Sequence, residues 1–524
     1  MFRVSPLLWP MILLSALSAF AAQTATQNAT IQRCEDLNRL TLPGILIKSA
    51  TQVAAGSFSA TGTNPRQVPS FCRVIGTVKP ELGFELWLPA QWNHKYVAVG
   101  NGGLAGSVVY NAMYDPLSRG YAVSSTDTGH VGVNTNDGAW ALGHLTRVIE
   151  FGQRGVHEMV IASKAVIHAH YGSAPTRSYF EGCSYGGKQA LTEVQKYPTD
   201  FDGVIAGDPA NWWTRHYTSN HVWIAQAVDG DGYLPAAKVQ ILAAAVNAVC
   251  DGLDGIRDGI LNDPRKCHFD PNVLQCKNGD QPFCLTGAQV AAVKKIWNGP
   301  RDEDGILLYP GLERGGESGP GGWVQWVTGS SSGKGAHSAL GLPFMKYVVY
   351  EDPNWDFRTL HYTALPGFES DVEYVDDKLG RIFNATDPDL RPFRAHGGKL
   401  IQYHGWSDPD IPPANSINYF ESVVRRVGGR RNMTALQDTQ DFYRLFMVPG
   451  MQHCAGGPGP SRFDALTALE QWVEQSKAPE QIVAAHVTNN VVDRTRPLCP
   501  FPETAKYKGT GSTDDAGNFV CAVQ

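Results

Sequence analysis

The sequence lacks any strong excess of charge of one sign. Among 524 residues, 44 Lys and Arg stand against 50 Asp and Glu, which gives a formal net charge of −6. There is no low-complexity tract, and charged residues make up only 18 % of the chain. The composition therefore gives no indication of a nucleic-acid partner or of an anionic membrane partner. We expect a globular chain with two domains, or with one core and a large insertion.

Long hydrophobic runs are missing after residue 21. No later run reaches the roughly 18 apolar residues that suggest a transmembrane helix. The first 21 residues carry Arg3, an apolar stretch and Ala-Phe-Ala at 19–21, which predicts a secretory signal peptide. We therefore expect a soluble, secreted mature protein with no membrane partner. Three Asn-x-Ser/Thr sequons, at Asn28, Asn384 and Asn432, predict glycosylation acceptors.

Zinc-site spacing is also absent from the His and Cys residues. In an exported protein the ten Cys are expected to form disulfides. Local spacing favours four pairs, each within a short stretch of chain: Cys34 with Cys72, Cys250 with Cys267, Cys276 with Cys284, and Cys499 with Cys521. That leaves Cys183 and Cys454, which lie far apart in the sequence. If these two pair, their Cα atoms lie about 4.4–6.8 Å apart.

What the sequence does contain is a Gly-Cys-Ser-Tyr-Gly motif at positions 182–186, between a strand pattern and a helix pattern. Gly-x-Ser-x-Gly in that setting is typical of the nucleophile elbow of an α/β-hydrolase. Gly182 and Gly186 are needed because a Cβ atom there would collide with the neighbouring strand or helix. Ser184 is the predicted nucleophile. The alternative is a chance Gly/Ser turn in a chain with 55 Gly.

Strand and helix patterns alternate on both sides of this motif. Apolar strand patterns occupy 95–100, 121–127, 177–183, 201–209, 399–405 and 443–450, and helix patterns occupy 154–171 and 463–475. A half-exposed hairpin is predicted at 74–90, and residues 22–70 form an extension with weak periodicity. This alternation predicts a parallel sheet flanked by helices.

The alternation stops within a segment rich in Gly, Pro, Asp and aromatic residues. We therefore predict an α/β-hydrolase fold whose catalytic domain comprises residues 22–211 and 396–524. A large inserted lid domain is predicted at residues 212–395. It would lie over the strand ends, where ligands bind in open α/β sheets.

A hydrolytic serine needs a base, an acid that orients the base, and oxyanion donors. In this fold they follow the order Ser, acid, His. Asp408 and His453 each follow one of the last two core strands, and Asp410 is a nearby rival for the acid. The predicted oxyanion donors are the N–H groups of Tyr185 and Gly103. For the second donor, the alternatives are Gly102 or a Gly-rich turn that binds no ligand.

A second group of polar residues lies between Cys250 and Cys267. Asp251, Asp254 and Asp258 are spaced by Gly on a short stretch, and three carboxylates this close repel one another unless a cation or solvent relieves them. Oxygen ligands on a flexible loop suit Ca²⁺, and the backbone carbonyls of Ile256 and Ile260 could complete the shell. The alternative is an exposed Asp/Gly turn closed by a disulfide.

Together these motifs resemble the tannase/feruloyl esterase family, and most of all fungal feruloyl esterase B. The resemblance rests on Gly-Cys-Ser-Tyr-Gly-Gly from position 182, Ser-Asp after a Tyr-His-Gly strand, and His-Cys-Ala-Gly-Gly-Pro-Gly from position 453. Bacterial mono(hydroxyethyl)terephthalate hydrolase looks similar. The resemblance covers nearly all of the mature chain. It implies an acyl-enzyme mechanism at Ser184 with Asp408 and His453, a structural Ca²⁺ in the lid at the five residues above, and the same five Cys pairs.

The substrate follows from the resemblance and not from the composition. It implies a secreted serine esterase that hydrolyses feruloyl esters of plant cell-wall polysaccharides, with small phenolic esters or feruloylated polysaccharide as substrates. A tannase that hydrolyses galloyl esters is the nearest alternative, and a non-catalytic secreted binding protein is an alternative of another class. A serine carboxypeptidase would share fold and export, but the Cys-Ser and His-Cys pairing favours the esterase family. Aromatic residues of the lid could stack on a phenolic ring, with no single one assigned: Trp212, Trp213, Trp323, Trp326, Trp355, Phe357 and Tyr362.

Overall fold

The structure is a computed structural model that describes residues 33–364, 369–428 and 434–523. The predicted signal peptide and the sequons at Asn28 and Asn432 lie outside the described residues. Their roles stay predictions.

A nine-stranded mixed sheet forms the centre of the molecule, in the order β1-β4-β5-β7-β6-β8-β9-β10-β11. In this order, neighbouring strands from β1 to β7 pair antiparallel. The neighbouring strands β7, β6, β8, β9, β10 and β11 pair parallel. The strands of this sheet are β1 Ile45–Val53, β4 Phe71–Val78, β5 Leu82–Pro89, β6 Lys95–Val99, β7 Ala122–Thr126, β8 Arg177–Cys183, β9 Gly203–Gly207, β10 Lys399–Gly405 and β11 Tyr443–Val448. The remaining strands form three two-stranded sheets: β2 Gly56–Phe58 with β3 Arg66–Val68, β12 Ile482–Thr488 with β13 Val491–Leu498, and β14 Thr504–Tyr507 with β15 Phe519–Ala522.

Helices cover both faces of the central sheet. One face packs Val160, Leu191 and Phe420 from α3, α4 and α12, and the other packs Leu117 and Leu469 from α1 and α14. Every residue of β7 and β9 is buried, as expected for strands covered on both faces. The helices of this part are α1 Tyr110–Ser118, α2 Leu145–Ile149, α3 Gly155–Tyr171, α4 Tyr185–Lys196, α12 Pro413–Gly428, α13 Ala435–Gln440 and α14 Ala465–Gln475. The predicted α/β-hydrolase fold is thus confirmed.

The segment between β9 and β10 is an insertion of helices, and its described residues add no strand to the central sheet. Its α-helices are α5 Trp213–His216, α6 Trp223–Ala227, α7 Ala236–Cys250, α8 Gly287–Asn298, α9 Ala336–Pro343, α10 Asp371–Phe383 and α11 Arg391–His396. One of its apolar clusters is internal and includes Leu242 and Val293. Another joins Trp213 and Phe344 of the insertion to Tyr185 at the start of α4. The division into a lid domain at residues 212–395 stays a prediction.

One helical stretch among the described residues, Ala236–Asp254, is long and apolar enough to cross a membrane by length and composition alone. Val239, Leu242 and Val246 of this stretch belong to the internal apolar cluster of the insertion. Core helices of soluble proteins pass the same test.

Strand β1 is one of the elements that the sequence pattern did not predict, because residues 22–70 are predicted only as an extension. Residues Ile45–Val53 instead pair antiparallel with β4 and form an edge of the central sheet. Only two of the nine side chains in β1 are buried. An edge strand with so few core contacts has little apolar alternation to detect.

Five disulfides join all ten Cys residues, and they are the pairs that the resemblance implies. They link Cys34 to Cys72, Cys183 to Cys454, Cys250 to Cys267, Cys276 to Cys284, and Cys499 to Cys521. Disulfides at this density are typical of proteins that fold in an oxidising compartment, outside the cytosol.

Candidate active site

Ser184 lies at the turn between β8 and α4. Its backbone has φ 65° and ψ −121°, a conformation that L-residues rarely adopt. Close backbone packing explains the two flanking glycines. A Cβ on Gly182 would lie 2.7 Å from the backbone of Gly186, and a Cβ on Gly186 would lie 2.9 Å from the carbonyl oxygen of Asn101. The turn is therefore tight enough to hold the serine at the carboxyl end of the sheet.

His453 and Asp408 form the next part of the site. His453 Nδ1 lies 2.9 Å from Asp408 Oδ2. The other oxygen of Asp408 accepts hydrogen bonds from the N–H groups of Asp410 and Ile411, at 2.8 and 3.1 Å. The carboxylate is thus held from both sides, so it can orient the imidazole and stabilise its positive charge. Asp408, and not its rival Asp410, occupies the position that a triad acid requires.

A disulfide connects the two halves of the site. Cys183 directly precedes Ser184, Cys454 directly follows His453, and the Cα atoms of the two Cys lie 5.9 Å apart. The segments that carry Ser184 and His453 are therefore joined by a covalent bond, although 271 positions separate the two cysteines in the sequence.

The electrostatics of the site favour a charged His453. Burial by itself lowers the pKa of His453, but the carboxylates of Asp408, Asp410 and Asp208 outweigh burial and raise the pKa above its ordinary value. For Asp408 both effects on the pKa have the opposite sign. Burial raises its pKa, yet His453 and His404 outweigh that effect and hold the pKa below its ordinary value. The pair is thus arranged to stabilise an imidazolium next to a carboxylate.

Two buried residues beside the triad carry structural roles that the sequence pattern did not reveal. Asp208, directly after β9, accepts hydrogen bonds from the N–H of Cys454 at 2.5 Å and of Gly405 at 2.9 Å. His404 on β10 contacts Asp408 Oδ2 at 3.3 Å and the hydroxyl of Ser416 at 2.7 Å. The signal available in the sequence was a polar residue at the end of a buried strand, which is too common to be specific.

The predicted oxyanion donors lie on two segments that contact each other. Tyr185 is the first residue of α4, so its N–H has no carbonyl one turn earlier in the helix. The turn after β6 is clamped to α4 because Gln189 Oε1 accepts from the N–H of Asn101 at 2.9 Å and Gln189 Nε2 donates to Asn101 Oδ1 at 3.0 Å. Within the described residues, the N–H groups of Gly102 and Gly103 have no hydrogen-bond acceptor. Gly103 has φ +55°, and its role as the second donor stays a prediction.

Among the aromatic residues of the insertion, the structure places Trp326 next to His453, the predicted base. Its ring contacts His453 edge-to-face, with ring centroids 4.8 Å apart. Trp213 and Trp323 are fully buried in apolar clusters. Trp326 is therefore the aromatic side chain best placed to contact a substrate at the triad.

The Asp-rich loop contains the predicted calcium ligands. Asp251 Oδ1 accepts from the N–H groups of Asp258 and Gly259, and Asp258 Oδ2 lies 2.8 Å from Arg496. Burial raises the pKa of Asp254, and the nearby Asp258 carboxylate adds to the effect. Some sets of three potential metal ligands among the described residues have ligating atoms that all lie within 4.8 Å of one another. Asp251, Asp254 and Asp258 do not form such a set.

The donor chemistry of this loop fits Ca²⁺. Carboxylate and carbonyl oxygens are the ligands that Ca²⁺ prefers, and a cation would relieve the charge of the half-buried Asp254. The Asp258 carboxylate forms an ion pair with Arg496. A bound ion would therefore have to draw this carboxylate closer to those of Asp251 and Asp254. The ligand role of Asp251, Asp254, Ile256, Asp258 and Ile260 stays a prediction.

Asn384, the sequon residue within the described part of the chain, has a side chain that forms hydrogen bonds with Thr214. Asn384 Nδ2 donates to the hydroxyl of Thr214 at 2.8 Å, and Asn384 Oδ1 accepts from the N–H of Thr214 at 3.0 Å. A glycan on Asn384 would have to keep or replace this contact with α5. Glycosylation of Asn384 stays a prediction.

Comparisons with known proteins identify the family of this chain. The sequence profile described as "Tannase and feruloyl esterase" matches residues 66–522. An uncharacterised esterase of Xanthomonas campestris is 40% identical, over 97% of this chain and 94% of the relative. The mono(2-hydroxyethyl) terephthalate hydrolase of Piscinibacter sakaiensis is 32% identical, over 91% of this chain and 89% of the relative. The crystal structure of feruloyl esterase B from Aspergillus oryzae superposes with a TM-score of 0.82 at 28% identity, covering 93% of this chain and 99% of that one.

A match over most of the chain, together with the elbow at Ser184 and the contact between Asp408 and His453, leads to one conclusion. The chain belongs to the tannase and feruloyl esterase family and is a carboxylic ester hydrolase.

Proposed function

We propose that this protein is a secreted serine esterase that hydrolyses feruloyl and related hydroxycinnamoyl esters of plant cell-wall polysaccharides. The observation that carries the proposal is the 2.9 Å contact between His453 and Asp408, in a site where a disulfide ties His453 to the neighbourhood of Ser184. The resemblance to feruloyl esterase B supports the acyl group, and five disulfides support secretion.

The first half of the mechanism transfers the acyl group to the enzyme. His453 Nε2 takes the proton of Ser184 Oγ, and Ser184 attacks the ester carbonyl carbon. Asp408 accepts from His453 Nδ1–H and stabilises the imidazolium that forms. The developing oxyanion would be held by the N–H groups of Tyr185 and Gly103. His453 then gives its proton to the leaving sugar alcohol.

The second half releases the acid. Water gives a proton to His453 and attacks the acyl-enzyme carbonyl, and collapse of the tetrahedral intermediate returns Ser184 and frees the phenolic acid. Trp326, which lies against His453, is the side chain that would contact an aromatic acyl or alcohol group at this point.

We also propose a structural calcium ion on the loop of Asp251, Asp254 and Asp258. When bound, the ion would neutralise carboxylates and order the loop between Cys250 and Cys267. These residues are separate from the triad, so the ion would not take part in the chemistry.

A substrate panel distinguishes the proposal from its alternatives. Turnover of methyl ferulate, methyl caffeate, methyl gallate and mono(2-hydroxyethyl) terephthalate is measured on the purified protein. We expect the highest kcat/KM on methyl ferulate or methyl caffeate. Preference for the gallate would favour a tannase, and preference for the terephthalate would favour the activity named for the Piscinibacter relative. No hydrolysis of any ester would favour a binding protein.

The nucleophile is tested by Ser184→Ala, which should abolish turnover while the melting temperature stays normal. A matched control is Ser178→Ala, another serine on β8, which should retain activity. Retained turnover in Ser184→Ala would overturn the assignment.

A further inference from the structure

Asp410 lies on the opposite side of the catalytic imidazole from Asp408. Asp410 Oδ2 is 3.5 Å from His453 Nε2, whereas Asp408 Oδ2 is 2.9 Å from His453 Nδ1. Both carboxylates are buried, with Asp410 only 2% exposed. The ring of His453 is therefore flanked by two carboxylates, and the second one faces the nitrogen that must exchange a proton with Ser184.

The charge of Asp410 has no Lys or Arg partner among the described residues, and besides His453 its carboxylate lies near three histidines. Asp410 Oδ1 lies 2.9 Å from His221 Nε2, and 3.9 Å from both His216 Nε2 and His337 Nδ1. All three histidines are buried and come from the insertion. Only the contact with His221 is short enough for a hydrogen bond.

The backbone around Asp410 is held by the same segment of the insertion. Asn220 Nδ2 donates to the carbonyl oxygen of Asp410 at 2.6 Å. His337 Nε2 lies 2.8 Å from the carbonyl oxygen of Pro409 and donates to it. These contacts hold the loop that carries both Asp408 and Asp410, so the position of the second carboxylate is built into the fold.

We propose that Asp410 is a second carboxylate for His453, a positioning residue that restrains the Nε2 edge of the ring and stabilises the imidazolium formed when Ser184 attacks. This inference rests on the proposed serine-esterase function. The proton passes from Ser184 Oγ to His453 Nε2 and then to the leaving alcohol, while Asp410 stays ionised throughout. At 3.5 Å the carboxylate acts mainly through its charge, which leaves Nε2 available to Ser184.

The expected effect of removing Asp410 has a definite sign. The carboxylates that face His453 are Asp408, Asp410 and Asp208, and His404 and His216 lie nearby. Removing one carboxylate lowers the pKa of His453, because the imidazolium loses part of its stabilisation. The acid limb of kcat/KM reports the base in the free enzyme, so it should move to lower pH.

The test is the Asp410→Asn variant, which keeps the shape of the side chain but removes its charge. We expect the acid limb to move down by about one pH unit and kcat to fall about tenfold, with KM changed less than about twofold. The matched control is Asp200→Asn, which removes a carboxylate 2.6 Å from His157 outside the site. The control should leave the pH profile unchanged, whereas a general effect of removing a partly buried carboxylate beside a histidine would shift the profile in both variants.

Two outcomes would overturn the inference. An unshifted acid limb in Asp410→Asn would show that Asp410 has only a structural role. The proposed esterase mechanism would still be supported in that case if Ser184→Ala is inactive. If Asp410→Asn does not fold, the wild-type enzyme decides, because carboxylates on both sides of the ring that outweigh the effect of burial should place the acid limb above the ordinary histidine pKa of about 6.5. A wild-type limb below that value would also overturn it.

Discussion

Cys183 and Cys454 are bonded to each other, and they are the direct neighbours of Ser184 and His453, the proposed nucleophile and base. The bond joins the loop after β8 to the loop after β11, which are separated by β9 and β10 in the sheet. The two loops also share Asp208, which accepts from the N–H of Cys454 and lies 3.7 Å from Cys183 Sγ. The distance between nucleophile and base is therefore set by a covalent bond as well as by packing.

A Cys183→Ala/Cys454→Ala double variant should lower kcat by about 10- to 100-fold, because small shifts between nucleophile and base are costly. The chain-entropy model gives a loop of this length about 5 kcal/mol at most, so the melting temperature should fall as well. Both are measured on the purified variant.

A second disulfide supplies the control for this comparison. Cys276→Ala/Cys284→Ala opens a loop of only 8 residues in sequence separation, away from the triad, and should leave kcat unchanged. Full activity together with a normal melting temperature in the Cys183→Ala/Cys454→Ala variant would contradict the role of this bond.

Asp408→Asn should lower kcat by about 10³- to 10⁴-fold, because an amide at this position no longer stabilises the correct tautomer of His453 or its positive charge. Steady-state kinetics on the preferred methyl ester measure this loss. Asp493→Asn removes an exposed carboxylate 2.6 Å from His486 and should have no effect on kcat. A larger loss in Asp410→Asn than in Asp408→Asn would mean that the roles of the two acids are reversed.

Removal of calcium should destabilise the protein without direct damage to the triad. Chelation with EGTA should lower the melting temperature by about 5 °C, and added Ca²⁺ should restore it better than Mg²⁺. Asp251→Asn and Asp254→Asn should abolish this response.

The chain offers a matched control for these calcium variants. Asp302 and Asp304 lie in another Asp-rich turn, so Asp302→Asn/Asp304→Asn should leave the calcium response intact. The calcium site would be refuted by a wild-type melting temperature that is the same with EGTA and with Ca²⁺.

Asp127 provides a prediction about stability and pH. Burial raises its pKa to about 6, despite hydrogen bonds from the N–H groups of Gly129 and Gly83. The ordinary pKa in the unfolded chain is about 3.9, so the folded state favours the protonated form. This contribution to stability is fully present below about pH 4 and is lost as the pH rises through about 6.

Asp127→Asn is neutral at every pH and keeps the acceptor oxygen. It should therefore raise the free energy of unfolding by about 1 kcal/mol at pH 7.5, and by less at pH 5. Thermal unfolding of both proteins at the two pH values measures the difference. The exposed Asp115→Asn change serves as the control, with no pH-dependent gain expected. An equal gain for Asp127→Asn at both pH values would argue against a buried, titrating carboxyl.

The order of the core elements could be predicted from the sequence because local chemistry determines it. Apolar runs predict buried parallel strands, and the two glycines around Ser184 predict a turn that only Gly can make at those positions. Strand β1 escaped prediction because an edge strand with two buried side chains carries little periodic signal. The same argument explains why Asp208 was not singled out: the role of a polar residue after a strand is not defined until its partners are known.

By itself, the sequence determined the hydrolase core and predicted a nucleophile, an acid and a base in the right chain order, since each depends on residues next to a strand end. The tertiary structure decided what depends on the packing of distant segments. It placed Asp408 at Nδ1 and Asp410 near Nε2 of His453, two residues apart in sequence but on opposite sides of one ring. It also brought Trp326 and three buried histidines from the insertion to that site, because only the packing of those helices on the core loop sets which side chains converge.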